Sequence, residues 1–196
     1  MDRLKKQIEF IIEIDKVKNI YRRTDLFNQK DRRENDAEHS WHISMMALIL
    51  AEYSNDKAID MLKVLKMLLI HDLVEIYAGD YFVYTEKIEE KLEKEKEGAQ
   101  KIFGILPEDQ KEEYLKIWHE IEEAETPEAK FATVLDRLQP ILQNHINSGG
   151  TWTEYNVTAE KIINRTQNMK EGSETLWNYV EEIIKENIEK GILKEK

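Results

Sequence analysis

The sequence contains no cysteine, and it has only seven glycines and three prolines among its 196 residues. The lack of cysteine excludes disulfide bridges and thiolate metal ligands, and it fits a reducing compartment. The scarcity of glycine and proline favours long helices joined by short connections. No apolar run is long enough to cross a bilayer, and the first residues lack the apolar segment of a signal peptide. We therefore expect a cytoplasmic protein with no membrane partner.

Positive charge is also in short supply, because 29 Lys and Arg residues face 40 Asp and Glu residues, a formal charge of −11. A chain of this charge repels nucleic-acid polymers unless it carries a local basic patch. A small phosphorylated ligand needs only a few positive groups at one place. Four arginines flank one polar stretch: Arg22, Arg23, Arg32 and Arg33. We expect no nucleic-acid partner, but the sequence leaves a small phosphorylated substrate possible.

Apolar residues make up 41% of the chain, enough for a packed core. Their spacing predicts an all-α fold of about eight helices in a single domain over residues 1–196. Asn35 with Glu38 resembles a capping box, Gly79 is typical of a helix end, and Ser173 is expected to cap the last helix. The predicted helices cover about residues 2–18, 36–53, 57–78, 86–97, 108–124, 127–146 and two segments within 151–196.

Three stretches depart from this succession of amphipathic helices. Residues 24–36 are polar and predict a loop. Pro140 predicts a kink or a break in the helix that begins after the cap Thr126. Residues 86–97 are almost all Glu and Lys, which is typical of a solvated helix with pairing between residues four apart. We expect no functional role for that helix.

Four groups that can bind metals lie within apolar helix patterns. His71 and Asp72 end a strongly apolar run, and Glu75 follows on the same helix face. Asp136 is surrounded in sequence by apolar residues, and His39 follows the capping box. Burying a carboxylate is costly unless the charge is paired or binds a cation. A buried network of hydrogen bonds is the alternative for an isolated His-Asp pair.

Together, the two imidazoles and two carboxylates make a ligand set that suits Mn, Fe, Co, Ni or Zn. An ion bound in this way lowers the pKa of its water, and a carboxylate at the position of Glu75 is placed to orient or deprotonate that water. The spacing of the residues does not choose among these metals.

The order of these motifs resembles the HD-domain metal-dependent phosphohydrolases, and within them the 5′-deoxynucleotidase branch. The resemblance covers about residues 20–145 and rests on four motifs: Glu34-Asn35-x-x-Glu38-His39, His71-Asp72-x-x-Glu75, Gly79-Asp80 and Glu128-Ala129-Lys130 … Asp136. It implies an HD-domain helical bundle with the C-terminal helices, residues 153–196, packed on the metal-site core. It also implies one divalent transition metal ion, held by His39, His71, Asp72 and Asp136.

The same resemblance implies roles for other residues. Glu75 is expected to be the catalytic carboxylate, and Asp80 to lie near the substrate sugar or leaving group. Arg23 is the expected phosphate or sugar contact, and Lys130 is a further candidate for a phosphate contact. Thr24 follows Arg23 where the bacterial deoxynucleotidase has tryptophan, so any selection that depends on that tryptophan does not carry over.

The function implied is hydrolysis of nucleoside 5′-monophosphates, deoxynucleotides included, to nucleoside and phosphate. One alternative is a phosphodiesterase or nucleoside triphosphate hydrolase of the same superfamily. The other is a helical module that senses nucleotides without turnover, against which Glu75 argues, since a binding module needs no carboxylate beside the water. The resemblance also implies a homodimer, and we expect the apolar and aromatic residues within 107–121 to contribute to its surface.

Overall fold

The computed structural model describes residues 2–79 and 88–196. The helices in these ranges are α1 (Asp2–Ile14), α2 (Asp36–Leu50), α3 (Met61–Ile70), α4 (Glu75–Ala78), α5 (Ile88–Phe103), α6 (Glu108–Glu123), α7 (Pro127–Ile146), α8 (Gly150–Glu154), α9 (Ala159–Thr166), α10 (Met169–Gly172) and α11 (Glu174–Glu189). Three 3₁₀ segments span Asp15–Asn19, Ala51–Tyr53 and His71–Val74, and two strands span Tyr21–Leu26 (β1) and Gln29–Asn35 (β2). The prediction of an all-α fold is confirmed. Within the described ranges, no helix has the length and apolarity needed to cross a membrane.

Polar caps determine where the central helices begin. The Asn35 side chain accepts a hydrogen bond from the Glu38 amide at 3.0 Å, and the Glu38 carboxylate accepts one from the Asn35 amide at 3.2 Å. This is the predicted capping box, and it fixes the start of α2. The third helix begins at Met61, later than predicted, because the Asp60 carboxylate caps it by accepting from the Leu62 amide at 2.9 Å.

The longest helix, α7, forms the centre of the fold. Its buried positions include Phe131, Ala132, Val134, Leu135 and Leu138, each at most 2% exposed. The helix runs through Pro140 without a break. Proline has no amide hydrogen, so Pro140 cannot donate to the carbonyl of Asp136 four residues earlier. A proline thus lies one turn after a candidate metal ligand, inside an otherwise continuous helix.

The loop predicted for residues 24–36 is wrong, because this stretch forms an antiparallel hairpin of β1 and β2. At its turn, Asn28 has φ +57°, and its amide donates to the side chain of Asn147 at 2.8 Å. The Asn147 amide group donates in return to the Leu26 carbonyl at 2.9 Å. One buried side chain therefore links the hairpin to the end of α7. The hairpin turns Arg22, Thr24 and Glu34 toward the interior.

The C-terminal part contains four helices, α8 to α11, rather than the two expected. Ser173 caps the last of them, as predicted, by accepting from the Leu176 amide at 3.1 Å. Gly172 lies so close to α7 that a Cβ there would stand 2.5 Å from the Lys130 carbonyl oxygen. This close approach packs α10 against the central helix.

The apolar residues of α6 do not form an exposed surface as expected. Ile117, Trp118 and Ile121 are buried, at 8%, 1% and 6% exposure. Eight exposed apolar side chains instead lie on two other helices, α1 and α2: Leu4, Ile8, Ile11, Ile12, Trp41, Met45, Leu48 and Ile49.

Candidate metal centre

The four residues expected to bind metal lie together where three helical segments meet. His39 comes from α2, His71 and Asp72 from the 3₁₀ segment after α3, and Asp136 from the middle of α7. The Oδ1 atom of Asp136 is 3.0 Å from His39 Nε2 and 3.5 Å from His71 Nε2. Donor atoms of His39, His71 and Asp72 all lie within 4.8 Å of one another. Side chains up to 97 residues apart in sequence are thus gathered around one point.

The His-Asp pair does not lie on a regular α-helix as predicted. The chain tightens after Ile70 into a 3₁₀ segment that includes both residues. A 3₁₀ helix has about three residues per turn, so neighbouring side chains diverge by about 120°. His71 Nε2 and Asp72 Oδ1 nevertheless lie 3.2 Å apart, and both residues are 8% exposed. The pair therefore converges on the shared centre from two sides.

Hydrogen bonds on the far side of each ring orient the two imidazoles. His71 Nδ1 donates to the Leu68 carbonyl, 3.0 Å away, and His39 Nδ1 donates to the Gln139 side-chain oxygen, 3.2 Å away. With Nδ1 engaged in this way, each ring turns its Nε2 toward the carboxylates of Asp72 and Asp136. Outer hydrogen bonds of this kind fix the tautomer of histidines that bind metals.

The residues present fit a divalent transition metal ion. His71 Nε2 is buried and forms no hydrogen bond. It lies 3.2 Å from Asp72 Oδ1 without the geometry of a hydrogen bond. A buried polar atom without a hydrogen bond costs free energy, and a metal ion shared with the neighbouring carboxylates would satisfy it. Two imidazoles with two carboxylates form the mixed nitrogen and oxygen donor set that such ions accept.

An arginine that the sequence analysis did not choose reaches this cluster. The Arg22 guanidinium donates to Asp72 Oδ2 at 2.8 Å and lies 4.0 Å from Asp136 Oδ1. Arg23, the expected contact, lines the adjacent cavity instead. The alternation of side chains along a strand explains the difference, because Arg22 and Thr24 share the inward face of β1. If residues 21–26 had been predicted as a strand, this alternation would have indicated that Arg22, and not Arg23, faces the interior.

The charges of the cluster shift one another's pKa values. Burial raises the pKa of Asp72, but His71 and Arg22 lower it more strongly, so the net direction is downward. Burial lowers the pKa of His71, yet Asp72 and Asp136 raise it to about 9. The imidazole is therefore held protonated beside the carboxylates when no other cation is bound. Metal ions bind the neutral imidazole, so binding releases these protons.

A second layer of buried side chains, missed by the sequence analysis, supports the candidate ligands. Gln139 is fully buried and donates through its Nε2 to Glu34 Oε1 at 2.6 Å, while its oxygen accepts from His39. Glu34 Oε2 is 3.6 Å from His39 Nδ1. Burial raises the pKa of Glu34, but His39 and Arg22 lower it below its usual value. Gln139 thus joins a buried carboxylate to a candidate metal ligand.

A cavity of about 240 Å³ opens beside the cluster. Glu75 lies in its wall at 6% exposure, next to the candidate ligands in the chain. Two residues of the Glu- and Lys-rich helix also face it, with Lys91 Nζ 3.2 Å from Glu95 Oε1. The expectation that this helix is wholly solvated is therefore wrong. The remaining charged residues of the wall are Arg22, Arg23, Asp72, Glu122, Asp136, Arg137 and Arg165.

Of the two remaining expected substrate contacts, only Lys130 lies within the described residues, and it does not line this cavity. Its ammonium group lies 3.2 Å from Glu171 Oε2. Asp80 lies outside the described residues. Within the described part of the chain, the cationic groups beside the candidate ligands come from β1, α5, α7 and α9.

The fold and the site define a helical metal-binding protein whose candidate metal centre lies beside an interior cavity. The chain belongs to the HD domain family, since the family model described as "HD domain" matches residues 14–177.

Known relatives agree with this assignment. The 5′-deoxynucleotidase HDDC2 of Danio rerio is 30% identical over 139 residues, which cover 70% of this chain and 68% of that protein. Its Homo sapiens counterpart is 28% identical over 138 residues, covering 69% of this chain and 65% of that protein. The chain thus matches about two thirds of the length of these relatives. A crystal structure described as a predicted metal-dependent phosphohydrolase from Magnetospirillum magnetotacticum MS-1 superposes with a TM-score of 0.93 at 47% identity, covering 98% of this chain and 96% of that one.

Proposed function

We propose that the protein is a metal-dependent phosphomonoesterase that hydrolyses nucleoside 5′-monophosphates, deoxynucleotides included, to nucleoside and phosphate. The observation that carries this proposal is the convergence of two imidazoles and two carboxylates beside a cavity whose wall contains Glu75 and several arginines. Relatives that bear the name 5′-deoxynucleotidase support the same reaction and the same class of substrate.

One divalent ion, of Co, Mn, Zn, Fe or Ni, would be held by His39, His71, Asp72 and Asp136. Such an ion, when bound, polarises a water molecule and a phosphoryl oxygen. The outer hydrogen bonds from His39 to Gln139 and from His71 to the Leu68 carbonyl keep both rings in the orientation that binding needs.

The side chains around this centre supply the rest of the chemistry. Glu75 accepts a proton from the attacking water, since it lies in the cavity wall beside the candidate ligands. Arg22, held at 2.8 Å by Asp72, places a fixed positive charge where negative charge builds up on the phosphoryl oxygens. Arg23, on the cavity wall, is the second cationic contact, and Asp80 is proposed to contact the sugar or leaving group.

The first test is a panel of nucleoside monophosphates, triphosphates and cyclic nucleotides, assayed for phosphate release with the bound metal measured. We expect release from the monophosphates. Hydrolysis of triphosphates or cyclic nucleotides alone would point to the other enzymes of the superfamily. Metal or nucleotide binding without any turnover would indicate the sensing module.

The variant Glu75→Gln tests the proposed proton acceptor. We expect its kcat to fall by about 10²- to 10⁴-fold with metal content unchanged, which is the usual contribution of a positioned acid or base. The exposed Glu123→Gln serves as the matched control, because Glu123 does not line the cavity. Equal kcat in Glu75→Gln and wild type would remove this role.

We propose further that the protein is a homodimer. The support is the apolar outer face of α2, where Trp41 and Ile49 are 65% and 66% exposed, and the similar face of α1. The exposed apolar residues of both faces recur at helical spacing, and contiguous apolar faces of this kind often mark contacts between proteins. Light scattering should give twice the chain mass, and Trp41→Glu should shift the protein toward monomer. A monomeric wild type at micromolar concentration contradicts the proposal.

A further inference from the structure

Two arginines, Arg137 of α7 and Arg165 of α9, line the cavity that holds the candidate metal centre. Among the described residues, no carboxylate forms a salt bridge with either guanidinium. The recorded side-chain partner of Arg137 is neutral, the Asn168 side-chain oxygen. In a chain with a net charge of −11, an arginine pair without a carboxylate partner needs an explanation.

Both side chains line the same cavity, so their like charges face one space. Like charges placed together at a partly desolvated site destabilise the folded protein unless an anion joins them. An anionic ligand in the cavity would meet both groups.

This pair is distinct from the arginine of the metal centre. Arg22 donates to Asp72 at 2.8 Å and lies 4.0 Å from Asp136 Oδ1, whereas in the described part of the chain no ion pair joins Arg137 or Arg165 to a candidate ligand. A phosphate under attack at the metal centre therefore has a guanidinium of its own, and the arginine pair forms a second cationic place on the same cavity wall.

We propose that Arg137 and Arg165 bind a second phosphoryl group of the ligand, so that the cavity accepts nucleosides that carry two phosphates. The planar fork of a guanidinium matches two phosphate oxygens at once, and two forks together suit a phosphate dianion. The second phosphate is either on another sugar hydroxyl or part of a diphosphate. The inference rests on the proposed function in one respect: it assumes that the first phosphate, the one that is hydrolysed, binds at the metal centre.

Calorimetric binding to metal-loaded protein tests this assignment, with Glu75→Gln as the background to prevent turnover of the ligands. The ligands are deoxyadenosine 5′-monophosphate, deoxyadenosine 3′,5′-bisphosphate and deoxyadenosine 5′-diphosphate. We expect one of the two-phosphate ligands to bind about tenfold more tightly than the monophosphate, as charge-assisted hydrogen bonds allow. The tighter of the two identifies the position of the second phosphate.

Arg165→Ala, added to the same background, should remove that about tenfold preference, and Arg165→Lys should restore part of it, because the charge returns without the fork. Lys161→Ala is the control, since Lys161 is an exposed cation of the same helix that does not line the cavity. Arg165 is itself exposed, so its substitution does not disturb the core; this keeps the test valid even where Arg137→Ala unfolds.

Two results would overturn the inference. One is that neither two-phosphate ligand binds more tightly than the monophosphate. The other is that Arg165→Ala weakens the monophosphate and the two-phosphate ligands by the same factor, which would assign the arginines to a single phosphate. Phosphate release by the wild type from monophosphates is measured separately, so failure of this inference leaves the proposed function standing.

Discussion

The two walls of the cavity are built differently. On the inner wall, His71 and Asp72 are each 8% exposed, and the Asp72 carboxylate lies 2.8 to 3.9 Å from Arg22, His71 and His39. On the outer wall, Glu122 and Arg165 are exposed, and Lys91 has one carboxylate partner at 3.2 Å. Because the charged side chains of the inner wall are buried and paired with one another, the fold fixes their positions. The charged side chains of the outer wall are more exposed and have few partners, so they can form new contacts with a ligand and contribute to its selection.

The largest effect should follow from breaking the inner wall at Asp136. We expect Asp136→Asn to retain little metal and to lose about 10³-fold or more in turnover, because a bound ion supplies several kcal/mol of charge stabilisation in the transition state. Metal binding also stabilises the fold by mass action. A chelator should therefore lower the Tm of the wild type more than that of the variant.

Metal analysis, phosphate release and thermal unfolding check this prediction together. The control is Asp109→Asn, which removes a surface carboxylate that pairs with Arg3 at 2.6 Å. Full metal occupancy and turnover in Asp136→Asn would show that Asp136 is not a ligand.

A smaller loss should follow when the support behind the inner wall is removed. Gln139→Leu deletes the acceptor of the His39 ring and the donor to Glu34. Outer-layer substitutions of this kind cost about 10- to 100-fold in metal affinity or activity. Competition with a fluorescent chelator measures the affinity, and Gln100→Leu, at an exposed position on α5, is the control. Unchanged affinity would mean that His39 needs no such support.

On the outer wall, Lys91 and Lys94 offer a matched pair on one helix. Lys91 lines the cavity, whereas Lys94 is exposed and lies 3.0 Å from Glu90. We expect Lys91→Met to raise KM for a monophosphate by about tenfold through the loss of one charge-assisted contact, with little change in kcat. Lys94→Met should leave both constants as in the wild type. Identical behaviour of the two variants would exclude α5 from substrate binding.

The contact that joins the walls can be tested at Gly98. A Cβ at this position would stand 2.5 Å from the carbonyl oxygen of Val74, in the 3₁₀ segment that carries His71 and Asp72. Overpacking of this kind costs about 1 to 3 kcal/mol, so Gly98→Ala should lower Tm by about 3 to 8 °C. Calorimetry of the metal-free protein measures the shift. An unchanged Tm would show that α5 can move away without cost.

The smallest expected effect concerns pH and Glu122. Although Glu122 is exposed as a whole residue, it lines the cavity, and desolvation there together with the nearby Glu95 raises the pKa of its carboxyl to about 7. An acid with a raised pKa in the folded state favours folding while it is protonated, and this advantage is lost as the pH rises from the unfolded value toward 7. Glu122→Gln should therefore raise Tm at pH 8 but not near pH 4. Because the side chain is reached by water, the gain should be only about 1 to 2 °C. An equal gain at both pH values would contradict the assignment.

The parts of the site that could be predicted from sequence are charged or polar residues that occupy positions in an otherwise apolar helix face. His71, Asp72 and Asp136 stand out because charged side chains interrupt apolar helix faces, and the structure brings all three together with His39. The caps at Asn35 and Ser173 were equally visible, since local hydrogen bonds alone decide them.

The parts that could not be predicted depend on contacts between distant segments. The hairpin has no alternating apolar residues, because its inward face turns polar groups such as Arg22 and Glu34 toward the site. Lys91 lies in a run of similar charges, and only the packing of α5 selects the face that meets the cavity. Pro140 is tolerated because its neighbours in α7, among them Leu138, Gln139 and Ile141, are buried in the core.

The wide separation of the candidate ligands along the chain sets an order of assembly during synthesis. Arg22 and Asp72 are 50 residues apart and can pair once the first half of the chain has left the ribosome, whereas the contact of His39 with Asp136 spans 97 residues. The full set of candidate ligands therefore exists only once α7 has been synthesised, and a chain that stops before α7 lacks one of the four.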